Sequence, residues 1–149
     1  MPPIEPKSDC VFCHIAAGHA PAERLYEDDG TVAFMDINPA TDGHCLVIPK
    51  RHSDDIWSLD EEDGAAVWRT VHRVARIVRE ALDAKGVNLL QASGRAAFQS
   101  VFHYHVHVIP RYSWDDVHLP WIPRAGDPDR LGEAAARLRT AIDQAREEL

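Results

Sequence analysis

At 149 residues, 45% hydrophobic and 27% charged, the chain is the size of one domain and apolar enough to build a core. Its formal charge of −8 argues against charge-driven binding of nucleic acid or of an anionic membrane, and leaves room for a small phosphate pocket. No apolar run approaches the ~18 residues of a membrane span; Met1 to Asp9 lacks a secretion signal, so a flexible arm over 1–8, a single domain over 9–149 and a cytoplasmic location are expected.

Cys10 and Cys13 open the domain as a C-x-x-C pair. Two soft ligands at zinc-type spacing do not close a tetrahedral site, so histidines would have to supply the rest. His52 and His103 are possible partners, but spacing does not select them, and a plain reduced pair stays equally open. Strands are expected over 22–27 and 31–37, around the turn Asp28-Asp29-Gly30, whose glycine is available for positive φ. Residues 38–43 read as a loop and His44 to Ile48 as a strand stopped by Pro49. Cys45, inside that strand, reads as a small buried residue. Ser58-Leu59-Asp60-Glu61 predicts a capping box with Ser58 at the cap. Val67, Val71, Val74, Val78 and Leu82 then recur at helical spacing up to a stop at Gly86. A strand over 87–92 follows.

The run from Phe102 to Ile109 is strongly β-prone and carries His103, His105 and His107 at alternate positions. Alternation in a strand places the three imidazoles on one face, about 6–7 Å apart, with Phe102, Tyr104, Val106 and Val108 on the other. Imidazole serves as base, nucleophile or metal ligand near neutral pH, and it attacks phosphorus readily. Gln99 and Ser100 at the strand entrance add an amide and a hydroxyl that can donate to phosphate oxygens. A loop with Trp114 and Trp121 follows. A last helix starts at Asp127-Pro128, with Leu131, Ala135, Leu138 and Ile142 as its buried face. Hairpin-length connections among strands flanking one long helix predict an α+β domain on a mostly antiparallel sheet.

HYHVHVI at His103 to Ile109 resembles the histidine-triad (HIT) signature. The segments Cys10 to Ile15, Tyr26 to Asp28, Ala33 to Ile37, Gly43-His44, Leu46 to His52 and Gln99 to Phe102 resemble family blocks in family order, over about residues 9 to 112. The resemblance implies a HIT-like fold of about five mostly antiparallel strands with one long helix and a C-terminal helix. It also implies a homodimer that takes a purine nucleotide or nucleotide conjugate, and neither nucleic acid nor membrane. A histidine at position 107, where related nucleotidyltransferases carry glutamine, points to the hydrolase side.

Carried over by position, His105 matches the nucleophile that attacks the α-phosphorus, and His107 the phosphate-contacting histidine tied to His44. Ser100 and Gln99 match residues around the phosphate and leaving group, and Asp36 the acid that takes the ribose hydroxyls. Val11, Phe12, Ile15, Phe34 and Ile37 match the apolar slot for the base. Cys10, Cys13, His52 and His103 match the ligands of a structural zinc in zinc-bearing bacterial members. The implied activity is hydrolysis of nucleoside 5′-monophosphate esters or amides through a nucleotidyl-histidine. The alternatives are a dinucleoside polyphosphate hydrolase or a catalytically weak nucleotide-binding module. The chain departs from the family at Ala92, where many members carry asparagine, and at Phe98, where glycine is usual.

Overall fold

The structure, a computed structural model, describes residues 3–118 and 120–148. They fall into two units, Met1–Val117 and His118–Leu149. The first unit holds α1 (Val11–Ala16), β1 (Arg24–Glu27), β2 (Thr31–Met35), β3 (Cys45–Pro49), α2 (Glu61–Leu82), β4 (Gly86–Leu90) and β5 (Val106–Arg111), with a short 3₁₀ turn over Arg95–Ala97. The second holds α3 (Pro128–Glu147). The five strands form one sheet in the order β1-β2-β3-β5-β4, antiparallel at every pairing. This is the α+β architecture expected.

Strand alternation divides the core in two. Ala33, Cys45, Val47, Tyr104, Val106 and Val108 face α2 and pack on Val67, Val71, Val74 and Val78. Val32, Phe34, Leu46 and Ile48 face the other way and pack on Cys10, Phe12, Cys13 and Ile15. The helix α1 has no counterpart in the sequence reading. It has six residues, too few to show a period, and its cap is a cysteine: the Cys10 thiol accepts the Cys13 N–H at 3.3 Å.

The histidine strand is shorter than expected. Ladder pairing begins at Val106, so His103 and His105 precede β5. Their backbone remains extended but bonds elsewhere, with the Tyr104 N–H donating to the Ser53 carbonyl at 2.7 Å. Alternation survives without a partner strand: Tyr104 is buried on the α2 side, and the His103 and His105 rings lie 6.1 and 5.2 Å from Phe12 on the other. Phe102 is only half-buried, beneath the Arg95 guanidinium.

Other boundaries shift for local reasons. Asp60, not Ser58, caps α2 by accepting the Glu62 N–H at 2.9 Å, while Ser58 is engaged in a turn with Asp55. Asp83, in the left-handed region at φ 52°, ends α2 before Gly86, which starts β4 instead, and Leu82 is exposed. The Gly30 turn needs no positive φ, because Asp28 Oδ1 accepts from Gly30 N, Thr31 N and Thr31 Oγ1. Lys50 pairs with Glu27 at 2.8 Å, and Arg51 pairs with Asp63 at 3.1 Å, tying the end of β3 to α2. In the second unit, Asp127 caps α3 and Pro128 opens it as expected. The expected buried face is not buried: Leu131, Leu138 and Ile142 are exposed. Periodicity specifies an apolar stripe but not the surface that covers it.

Gly43 does require its identity. It sits at φ +87°, and a Cβ there would collide with Leu82 Cδ1 and approach Pro110 Cγ to 3.2 Å. Gly43→Ala is therefore expected to destabilise the fold by about 2–3 kcal/mol, read as a lowered urea midpoint. A midpoint equal to wild type would contradict the close approach of Leu82 and Pro110 to Gly43.

Candidate active site and metal centre

Two clusters of ionisable side chains lie on the α1 side of the sheet, and the 103–107 run contributes to both. In the first, Cys10 and Cys13 come from the first turn of α1, His52 from the segment after β3, and His103 from the approach to β5. Cys10 Sγ and Cys13 Sγ stand 3.3 and 3.4 Å from His103 Nδ1, and Cys13 Sγ stands 3.3 Å from His52 Nδ1. All four ligand atoms lie within 4.8 Å of one another. A zinc tetrahedron with ~2.3 Å bonds to sulfur and ~2.0–2.1 Å bonds to nitrogen separates its ligand atoms by about 3.3–3.8 Å, so the four residues fit such an ion.

The tautomers fit as well. His103 Nε2 is 2.8 Å from the Pro49 carbonyl and His52 Nε2 is 2.6 Å from Asp54 Oδ1. Both acceptors hold the proton on Nε2 and leave the Nδ1 lone pair toward the sulfurs. Burial pushes the Cys13 thiol up to about 11, so a cation here would have to displace its proton. Two thiols and two imidazoles form a soft donor set suited to zinc.

The second cluster is a hydrogen-bonded relay. The Ala40 N–H donates to His44 Nδ1 at 2.9 Å, so a neutral His44 carries its proton on Nε2. That proton is donated to His107 Nδ1 at 2.8 Å, which leaves His107 with an N–H at Nε2. The 2.8 Å spacing is shorter than the ~3.3 Å between two nitrogens on one zinc, so this pair is a hydrogen bond and not a ligand pair. Asp36 Oδ2 lies 3.4 Å from His44 Nε2 and 3.7 Å from His107 Nδ1, while its Oδ1 accepts the Asn38 N–H at 2.8 Å. Its remaining lone pairs can accept from hydroxyls.

His105 stands between the clusters. Its Nδ1 is 2.7 Å from the His103 carbonyl, which can only accept, so the lone pair is on Nε2. Its ring is 5.0 Å from that of His107 and 5.2 Å edge-on from Phe12. Burial lowers its pKa below the ordinary histidine value, against the opposing pull of the His103 carbonyl and the Asp36 charge. Burial likewise lowers His44, and with the neighbouring imidazoles brings His107 down to about 4. Burial thus favours the neutral form of all three. One imidazole thus offers a lone pair and the next an N–H donor, a pairing suited to attack on a phosphate whose oxygens need stabilising.

Among the residues expected around a base, Phe12, Ile15 and Phe34 are buried in one cluster, whereas Val11 (52% exposed) and Ile37 (89%) reach solvent. Ser100 is exposed. Gln99, expected beside a phosphate, is turned inward. Its Nε2 donates to the Asp54 and Val101 carbonyls at 2.6 and 3.1 Å, and its Oε1 accepts the Gly94 N–H at 2.8 Å. It shapes the 94–100 loop from within. Phe98 adopts φ 68° with its side chain 89% exposed, so it keeps the left-handed turn of a glycine without crowding the loop. Sequence reasoning missed the Ala40 N–H and the Pro49 and His103 carbonyls, which have no side-chain signature. It also missed Asp54, whose spacing two residues beyond His52 was a usable signal.

Residues 17–114 match the family model described as HIT domain. The Bacillus subtilis protein hit is 43% identical over 108 residues, covering 72% of this chain and 74% of that protein. An Arabidopsis thaliana protein named adenylylsulfatase HINT3 is 38% identical over 109 residues, 73% of this chain and 55% of that protein. The crystal structure of a zinc-bound histidine triad family protein from Mycobacterium smegmatis superposes with a TM-score of 0.69 at 42% identity, covering 95% of this chain and 98% of that one.

Proposed function

The chain belongs to the HIT-domain family, and from that premise we propose that it hydrolyses nucleoside 5′-monophosphate amides or esters through a nucleotidyl-histidine. The observation that carries this reading is the His105 geometry: a buried neutral imidazole with its lone pair on Nε2, beside the His107 N–H donor. In the first step His105 Nε2 attacks the α-phosphorus, a P–Nε2 bond forms, and the bond to the leaving nitrogen or oxygen breaks with its electron pair on that atom, a departing amine taking up a proton from solvent. The imidazole becomes cationic, and the His103 carbonyl bonded to its Nδ1–H stabilises that charge. His107 Nε2–H donates to a phosphate oxygen as negative charge gathers there, with His44 holding the ring in the required tautomer. Water then attacks phosphorus and loses a proton to solvent, the P–Nε2 bond breaks with its electron pair on Nε2, and the nucleoside monophosphate leaves with His105 neutral again. Asp36 accepts the ribose hydroxyls, Ser100 donates to the phosphate, Gln99 holds the loop around the leaving group, and the base lies on the surface offered by Val11 and Ile37 above Phe12, Ile15 and Phe34.

Zinc held by Cys10, Cys13, His52 and His103 is part of the proposal. The ion fastens α1 to the 103–105 run and takes no part in the chemistry. A second copy of the chain covering the edge strand β4, whose Val87, Leu89 and Leu90 are 41–50% exposed, would continue the sheet into a homodimer.

The test is release of a fluorescent amine from an adenosine 5′-phosphoramidate, with a dinucleoside polyphosphate as the competing substrate. Amine release supports the phosphoramidase reading, and cleavage of the polyphosphate alone shifts it to the anhydride. Ala92, which has no side-chain amide to offer, favours one other reading, a nucleotide-binding module with little turnover, which AMP binding without product would establish.

Because His105 must be neutral to attack and burial lowers its pKa from the ordinary histidine value of 6.5, the acid limb of kcat/KM, where protonation removes the nucleophile, is expected to have its midpoint below pH 6.5. A midpoint at or above pH 6.5 would count against a buried imidazole as the attacking group.

A further inference from the structure

Asp54 joins the metal cluster to the loop beside the candidate active site, using two different groups. Its carboxylate Oδ1 accepts the His52 Nε2–H at 2.6 Å, which turns His52 Nδ1 toward Cys13 Sγ. Its main-chain carbonyl accepts from Gln99 Nε2 at 2.6 Å, and Gln99 in turn holds Gly94 N–H and the Val101 carbonyl. Loop 94–100 is thereby pinned from both ends through one side chain to the residue that orients a metal ligand. A second strap runs the same way, from the Ile56 N–H to Ser93 Oγ at 2.9 Å. The only other ionic partner of Asp54 among the described residues is Lys7, 3.8 Å away with both side chains about half exposed, a surface pair of little worth.

We propose that Asp54 is a positioning residue that couples occupancy of the Cys10–Cys13–His52–His103 site to the geometry of loop 94–100. A carboxylate behind a ligating histidine fixes its tautomer and strengthens the ligand, an effect of about 10–100-fold in metal affinity. With His52 held by an ion, Asp54 and its carbonyl are held, and Gln99 keeps its three bonds. With His52 free to turn, the anchor of the loop is released. Such coupling is reciprocal, so whatever orders the loop also tightens the ion. The consequence for turnover rests on the hydrolase reading above; the coupling itself does not.

The experiment measures Zn²⁺ affinity of the full-length protein by competition with a chromophoric chelator, together with hydrogen exchange in zinc-loaded and zinc-free wild type. Asp54→Ala is expected to bind Zn²⁺ about 10–100-fold more weakly. Asp54→Asn, which keeps an acceptor for His52, falls between Ala and wild type, and Lys7→Met, which removes only the surface partner of Asp54, changes affinity far less than Asp54→Ala. Zinc withdrawal is expected to raise exchange over residues 93–101 relative to β2 and β3. Wild-type affinity in Asp54→Ala overturns the proposal, as does loop exchange that does not change or that rises only in step with β2 and β3. If wild type hydrolyses neither the phosphoramidate nor the dinucleoside polyphosphate, the hydrolase reading falls and these results stand on their own.

Discussion

His105→Ala is expected to lower kcat for an adenosine 5′-phosphoramidate by at least about 10⁴-fold, roughly 5.5 kcal/mol at 1.36 kcal/mol per tenfold. No neighbouring group can take over the attack. His103 is fully buried with its Nδ1 toward two sulfurs, and His107 carries its proton on Nε2 because His44 donates to its Nδ1. The fold should tolerate the change, since among the described residues His105 makes one side-chain hydrogen bond, to the His103 carbonyl, and otherwise packs beside the Phe12 and His107 rings. KM therefore moves much less than kcat. Steady-state kinetics with AMP affinity measured alongside separates the two; a mutant retaining more than about one-hundredth of wild-type turnover would remove His105 from the role of nucleophile.

The second large effect is at the metal cluster. Cys13 is 3% exposed and faces both His52 and His103, so Cys13→Ala removes the one ligand that touches both imidazoles. A domain with two apolar clusters does not depend on an ion as a zinc finger does, where metal binding supplies ~10–16 kcal/mol. Still, α1 has six residues and is held to the sheet by Phe12, Ile15 and this cluster. We expect Cys13→Ala, or removal of zinc by a strong chelator, to cost about 3–5 kcal/mol, lowering the melting temperature by roughly 10–15 °C. Calorimetry with and without added zinc checks it. A chelator-insensitive melting temperature in protein shown to contain zinc would mean that the ion does not fasten α1.

Much of this was readable in the sequence because the signals were side chains at regular spacing. The alternation of His103, His105 and His107 gave their shared face even though only His107 lies within a paired strand, since extended backbone alternates with or without a partner. The valine spacing of α2 predicted Val67, Val71, Val74 and Val78 as buried; it failed at Leu82, where the helix ends, and did not show the buried polar Asp63 and Thr70. Two kinds of information were missing. Backbone groups that set tautomers, at Ala40, Pro49 and His103, leave no trace in residue identity. Long-range closure is equally silent: the His52 to Cys13 approach spans 39 positions, and spacing alone could not choose His52 and His103 over other histidines. At Gln99 residue type alone pointed to phosphate, while the amide bonds within its own loop and to the Asp54 carbonyl, a placement that type does not encode.

The claim that this chain uses a covalent nucleotidyl-histidine is tested most directly by trapping that species. Wild-type protein is mixed with the phosphoramidate, quenched in alkali after a few milliseconds, and digested for mass spectrometry. A nucleoside monophosphate on the peptide bearing His105, fragmenting to that residue and absent from His105→Ala, is the predicted result. Turnover with no adduct at His105, or an adduct placed on another histidine, would contradict it.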